Sequence, residues 1–187
     1  RQMCIRDRYL GSGALSRLEA EALLAGIMLD TRDFTLHTGV RTFEAAAFLR
    51  RCGANITQVR KMFRDDMASY QAKAEIISSV EVYQEKFAIA RGENLDIESP
   101  TIVGAQAAND LLDINAVKAS FVLTNYNGRI YISARSIDEV NVQIIMERLG
   151  GGGHMNASGA QFEHTDMERA VEDLKKVIDE MVEGGDI

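Results

Sequence analysis

The residues with the most chemistry in them lie between Leu149 and Gln161, where LGGGGHMNASGAQ sets four consecutive glycines against a histidine. Glycine admits positive φ and lets a ligand reach the main chain with no Cβ in the way. Successive N–H groups in such a turn form a concavity for an anion, and phosphate is the usual guest. His154, at the rim, can donate a hydrogen bond to a phosphate oxygen or move a proton. A flexible linker with an incidental histidine is the plainer reading, although linkers rarely separate a helix-patterned segment from a strand-patterned one. Gly150 to His154 is therefore expected to bind phosphate, with Gly151, Gly152, Gly153 and His154 touching the ligand. Arg135 ends the strand-like RIYISAR, where a guanidinium can grip phosphate through two N–H groups at once. A surface arginine at a strand end is the alternative. Ser133 and Ser136 flank it as further donors, and a helical pattern leads from there back to the glycines. Arg135 and His154 are thus expected to face one pocket.

A metal site is harder to read. Asp30 follows the apolar stretch Ala25–Leu29, where a carboxylate can ligate a metal or, with Thr31, simply cap a turn. His37, His154 and His164 have no partner at a ligand spacing, and Asp30 and Asp33 are the acids close to His37. There is no G-x-S-x-G elbow, no Walker A loop and no Cys/His pair for nucleophilic catalysis. Cys4 and Cys52 match no metal spacing and no disulfide framework, which suits a reducing cytoplasm. The net charge of −7 disfavours a long nucleic-acid backbone, which needs a basic stripe, yet leaves room for a small phosphorylated ligand. No apolar run approaches the length that spans a bilayer.

The elements that must position these residues follow in order. Arg1–Arg8, RQMCIRDR, has no apolar period and is expected to be adapter-derived or an ordinary polar tail. Ser16 with Glu19 spells a capping box before a helix over LEAEALLAG. Thr42 is expected to open a second helix that Gly53 closes, and Asn55 or Thr57 a third. A further helix is expected from Met67 to about Tyr83. Strands are expected over 87–91, 119–124, 129–135 and 159–163, with an Asn127-Gly128 hairpin turn between the second and third. Helices are expected over 101–112, 138–149 and 166–182. With 187 residues and 46% hydrophobic composition, the chain can hold one ordinary domain or two small ones, the second a mixed α/β unit starting near residue 86.

Taken together, AEALLAGIMLDTRDFTLHTGVRTFEAAAFLRRCGA, ISARS, NVQIIMERLGGGGH and NASGAQF resemble the DHH/DHHA1 phosphoesterase superfamily, within it the GdpP-type cyclic di-AMP phosphodiesterase branch. The resemblance runs from about Leu18 to Glu183. It implies an α/β fold: the end of a DHH domain over 9–66, a linker helix over 67–85 and a DHHA1 substrate-binding domain over 86–187. It also implies a parent enzyme in which two manganese ions generate a hydroxide and stabilise in-line attack at phosphorus. In that frame Asp30 matches a metal-site aspartate, which reverses the capping preference. Gly150–His154 matches the glycine–histidine motif that holds substrate phosphate, and Arg135 a phosphate-contacting arginine. Thr38–Thr42 resembles the family's RTG-type turn, with His37 where a basic residue is usual.

The name-giving Asp-His-His triplet is absent from the sequence, as is the earlier HxxxDxD cluster. One ligand cannot hold two manganese ions. The expectation is therefore the C-terminal part of such an enzyme, inactive alone, binding a cyclic dinucleotide or short oligonucleotide and opening cyclic di-AMP to pApA in its complete form. A parent anchored in a membrane with this part facing the cytoplasm fits the same resemblance. The alternatives are a relative of nanoRNases and pAp-phosphatases acting on short linear substrates, a non-catalytic nucleotide- or RNA-binding DHHA1 module, or a homodimerisation unit. A RecJ-like exonuclease fits less well, because its long polyanionic substrate calls for a basic groove. Residues 86–183 are expected to be the stable part, since an interrupted parallel sheet upstream would leave apolar faces exposed.

Overall fold

A computed structural model describes residues 15–36, 38–137, 139–163 and 165–185. The 1–8 segment, His37, His164 and the expected helix start at Asp138 lie outside the described residues. The chain divides into two compact units between Asp65 and Asp66.

The first unit is helical among its described residues. Helix α1 (Arg17–Asp30) opens with the expected capping box, the Ser16 side chain accepting from the Glu19 N–H and the Glu19 carboxylate from the Ser16 N–H. Helix α2 (Val40–Arg51) begins two residues earlier than expected, because Thr42 serves at the third helical position, where its hydroxyl accepts from the Gly39 N–H at 3.3 Å. Helix α3 (Ile56–Met62) is capped by Asn55, whose side chain accepts from the Thr57 N–H at 2.9 Å. Their apolar faces enclose a small core built on Leu24, Ile27, Leu49 and Val59. Glu21 is buried at its edge, held by Arg17 at 2.9 Å and by the Asn55 N–H at 3.2 Å. The Arg17 hydrogen bond, helped by the Asn55 N–H, keeps the Glu21 carboxyl below its ordinary range. Leu18, Leu29 and Val40 are left 70%, 71% and 75% exposed.

In the second unit, helix α4 (Met67–Ser78) is capped by Asp66, and hydrogen bonds from the Ser69 N–H and hydroxyl hold that carboxyl below its ordinary range. The helix does not continue to Tyr83. The Ser79 hydroxyl donates to the Ile76 carbonyl at 2.7 Å and accepts from the Arg91 N–H at 2.9 Å, which turns the chain out of the helix. Residues 81–83 become strand β1 (Glu81–Tyr83), antiparallel to β2 (Phe87–Gly92). Helix α5 (Pro100–Leu111) then crosses to β3 (Ala119–Tyr126), which pairs parallel with β2. A turn with Asn127 at φ 52° and Gly128 at 73° returns the chain as β4 (Arg129–Ser136). Positive φ at both central residues suits the right-handed twist of a two-residue hairpin.

Helix α6 (Val142–Arg148) is shorter than the expected 138–149, since Asn141 caps it by accepting from the Gln143 N–H. After it come β5 (Gly152–His154), β6 (Ala157–Glu163) and helix α7 (Met167–Gly184). The six strands run β1-β2-β3-β4-β6-β5. One face packs α6 and α7 around Phe87, Phe121, Leu123, Ile132, Ile145 and Leu174. The other packs α4 and α5 around Ile76, Ala88, Val103, Leu111 and Val122. With both faces of β2 and β3 covered, these strands are apolar almost throughout, as the burial pattern of β3 shows.

Candidate functional site

The sheet register brings the sequence candidates of the second unit together. Arg135 on β4 lies opposite Ala157 on β6, and Ala157 lies opposite His154 on β5. Residues directly opposite across neighbouring strands point to the same face, so Arg135 and His154 share one face with Ala157 between them, two inter-strand spacings or about 10 Å apart at their backbones. Ser120 is opposite Arg135 on the other side, and its hydroxyl donates to the Ala108 carbonyl of α5 at 2.5 Å. The shared face is therefore the one that α5 covers over β3. Over β4, β6 and β5 it opens into a ledge: Ser133 and Arg135 are half-buried, while Ala157, Gln161 and His154 are exposed. Its floor consists of Ser133, Ala157, Gly159 and Gly152, all small residues. A flat anion can lie against such a floor, with guanidinium donors on one side and an imidazole on the other.

The glycine run is not a loop of free N–H groups. Gly150, at φ 78°, closes α6: its N–H donates to the Glu147 carbonyl at 3.0 Å and that of Gly151 to the Met146 carbonyl at 2.8 Å. These two bonds make a Schellman cap, which uses both donors for the helix terminus. Gly151 and Gly153 then let β5 press against β6. A Cβ on Gly151 would lie 2.1 Å from the Gly159 carbonyl oxygen, and one on Gly153 2.6 Å from the Ser158 Cα, at a φ of 145°. Gly152 alone of the three meets nothing within 4 Å and looks onto the ledge. Sequence reasoning saw the glycines and missed this division of labour, because the contacts come from β6 and not from within the run.

The hairpin tip is tied down from two sides. The Val142 N–H donates to the Met155 carbonyl at 3.0 Å and the Ser136 N–H to the Asn156 carbonyl at 3.2 Å. Ser136 is thus a clasp for the hairpin, not a donor on the ledge. The Ser158 hydroxyl donates to the His154 carbonyl at 2.6 Å, fixing the backbone that carries the imidazole. The Arg135 guanidinium itself donates to the Ala134 carbonyl at 2.8 Å.

Asp30 lies in the other unit, exposed at the C-terminal end of α1. Capping falls to its neighbour Thr31, whose hydroxyl donates to the Ile27 carbonyl at 2.7 Å and accepts from the Phe34 N–H at 3.0 Å. The chain then runs through Arg32, Asp33 and Phe34 at φ 45°, 54° and 68°. Left-handed backbone costs an L-residue about 1–2 kcal/mol, so three in succession need the support of this hydroxyl and of Phe34 stacking on Phe43 at 5.5 Å. Among the described residues no three His, Cys, Asp or Glu side chains gather to hold a metal. The described residues alone do not fit a manganese pair.

The family model for the DHHA1 domain matches residues 86–184, and the chain belongs to that family. Over 172 residues it is 44% identical to the cyclic-di-AMP phosphodiesterase GdpP of Geobacillus thermodenitrificans, covering 91% of this chain and 26% of that protein. Over 166 residues it is 41% identical to the cyclic-di-AMP phosphodiesterase PdeA of Listeria monocytogenes, covering 88% and 25%. The chain thus spans about a quarter of the length of these relatives. In fold it is similar to an exopolyphosphatase-related protein from Bacteroides fragilis, with a TM-score of 0.85 at 22% identity, covering 96% of this chain and 55% of that one. No helix among the described residues is long and apolar enough to cross a membrane.

Proposed function

We propose that this chain is the substrate-gripping part of a cyclic di-AMP phosphodiesterase and that its ledge holds a phosphate of the dinucleotide. The observation that carries this reading is the placement of Arg135 and His154 on one open sheet face across the small Ala157. Arg135 supplies the fixed positive charge and a planar set of donors. His154 supplies a further donor, and the floor at Gly152 and Gly159 keeps side chains away from the bound group. The names of the relatives support cyclic di-AMP as the substrate. Manganese enters this reading only through Asp30, as one ligand of a centre that needs others.

The test is calorimetric titration with cyclic di-AMP, first without metal and then with manganese. Removing a charge-assisted hydrogen bond costs about 1.5–3 kcal/mol, so Arg135→Ala is expected to weaken binding at least about tenfold. His154→Ala should weaken it by a smaller factor. Gly152→Leu is the sharper probe, because a Cβ there meets nothing within 4 Å and the longer side chain adds bulk at the ledge. Retained affinity in Gly152→Leu with a normal circular dichroism spectrum would remove the ledge as the site. Competition by linear pApA bears on the second reading: a preference for the linear form would favour a nanoRNase-like role.

A further inference from the structure

The first unit contains a concavity of its own, to which Asp30 contributes no lining. It has a volume of about 380 Å³ and is lined by Met28, Asp33, Thr57, Arg60, Lys61, Phe63 and Arg64. That size lies in the range of small-molecule sites, which run to about 300–1,000 Å³. Three of its side chains are cations, against one carboxylate, in a chain whose net charge is −7. Several cations elsewhere are paired: Arg91 lies 2.6 Å from Glu168, Arg129 2.8 Å from Glu163 and Lys175 2.7 Å from Glu81. Arg60, Lys61 and Arg64 lie within five positions of sequence, all three line the concavity, and they form no such ion pair among the described residues. Like charges gathered at one concavity repel. An anion in the pocket would relieve all three.

The opposite wall of the concavity is the left-handed turn that carries Asp33. The Asp33 N–H donates to the Met28 carbonyl at 2.9 Å, which holds the turn against α1 while its strained backbone shapes the concavity. Apolar surface comes from the buried Met28 and from Phe63, a residue 43% exposed. A concavity that combines a cation cluster, a hydroxyl at Thr57 and an exposed aromatic ring matches a ligand with an anionic end and a flat apolar end.

We infer that this pocket binds a nucleoside monophosphate, its phosphate on Arg60, Lys61 and Arg64 and its base against Phe63. Such a site would add a nucleotide-sensing role to the chain, independent of the ledge. The experiment titrates the full chain with AMP, adenosine and inorganic phosphate, followed by backbone amide NMR shifts. The expected result is that AMP binds more tightly than inorganic phosphate, adenosine binds weakly, and added salt weakens AMP binding. The combined Arg60→Gln, Lys61→Gln and Arg64→Gln variant should lose at least about tenfold in AMP affinity, as expected when charge-assisted phosphate contacts are removed. Phe63→Ala should bring AMP down to the level of phosphate. A ledge variant, Arg135→Ala with His154→Ala, should bind AMP as the parent does. Unchanged AMP affinity in the triple glutamine variant, AMP no tighter than inorganic phosphate, or loss of AMP binding in the ledge variant alone would each overturn the inference. The ledge reading is tested by cyclic di-AMP affinity in the ledge variant and this pocket by AMP affinity in the triple glutamine variant, so failure of one leaves the other standing.

Discussion

The two units solve the burial problem differently. The second encloses its sheet between two layers of helices, so that Phe87, Phe121, Ile76 and Leu111 are all fully buried. Among its described residues the first has three helices around a core of few large side chains, and it leaves Leu18, Leu29 and Val40 in solvent. Area removed from water is the main favourable term in folding, at about 25 cal/mol per Å² of apolar surface. The unit with the smaller core therefore has the smaller margin. The candidate ledge is thus carried by the robust unit, while Asp30 and the cationic pocket are carried by the marginal one.

The strongest way to break this comparison is to cut each core equally. Leu24→Ala and Leu174→Ala both remove a large buried side chain, at a cost of about 2–5 kcal/mol. Hydrogen exchange should show the first unit unfolding outright in Leu24→Ala, whereas the second stays protected in Leu174→Ala. Equal protection in the two variants would contradict the assigned margins. A smaller effect is expected from Gly151→Ala, which drives a methyl group into the Gly159 carbonyl. Overpacking of this kind costs about 1–3 kcal/mol, and denaturant unfolding should show the loss in the second unit alone. Exchange protection should fall first at β5 and β6.

The smallest effects are expected from pH, and they separate the units by sign. The Glu21 carboxyl is held below its ordinary value by Arg17 and the Asn55 N–H. Its contribution is therefore present above the unfolded carboxylate pKa and is lost as pH falls through the folded one. In the second unit the Tyr83 hydroxyl donates to Asp179 at 2.7 Å, which raises its pKa above the ordinary tyrosine value, burial adding to the effect. That contribution is complete below the unfolded tyrosine pKa and is lost as pH rises through the folded one. Melting curves should show Glu21→Gln flattening the acid limb of the first unit and Tyr83→Phe the alkaline limb of the second. Exchange of these two limbs between variants would refute the assignment.

Much of this molecule is decided by residues a few positions apart, and those features were legible in the sequence. Ser16 with Glu19, Asn55 with Thr57, and Asp166 with Arg169 each cap a helix through bonds that span two or three residues. Asn127-Gly128 specifies its turn because both positions tolerate positive φ. The family resemblance was equally legible, since it rests on local motifs. What the tertiary structure alone decided is how distant residues meet. Residues 81–83 became a strand only because β2 offered its edge and Ser79 could reach Arg91. Gly151 and Gly153 are required by β6, and Gly152 is free of it, a distinction that no spacing within GGGG encodes. Arg135 and His154 share a face because β6 lies between their strands and the apolar face of all three is buried against α6 and α7. A shift of one residue in that register would have sent one of the two into the core.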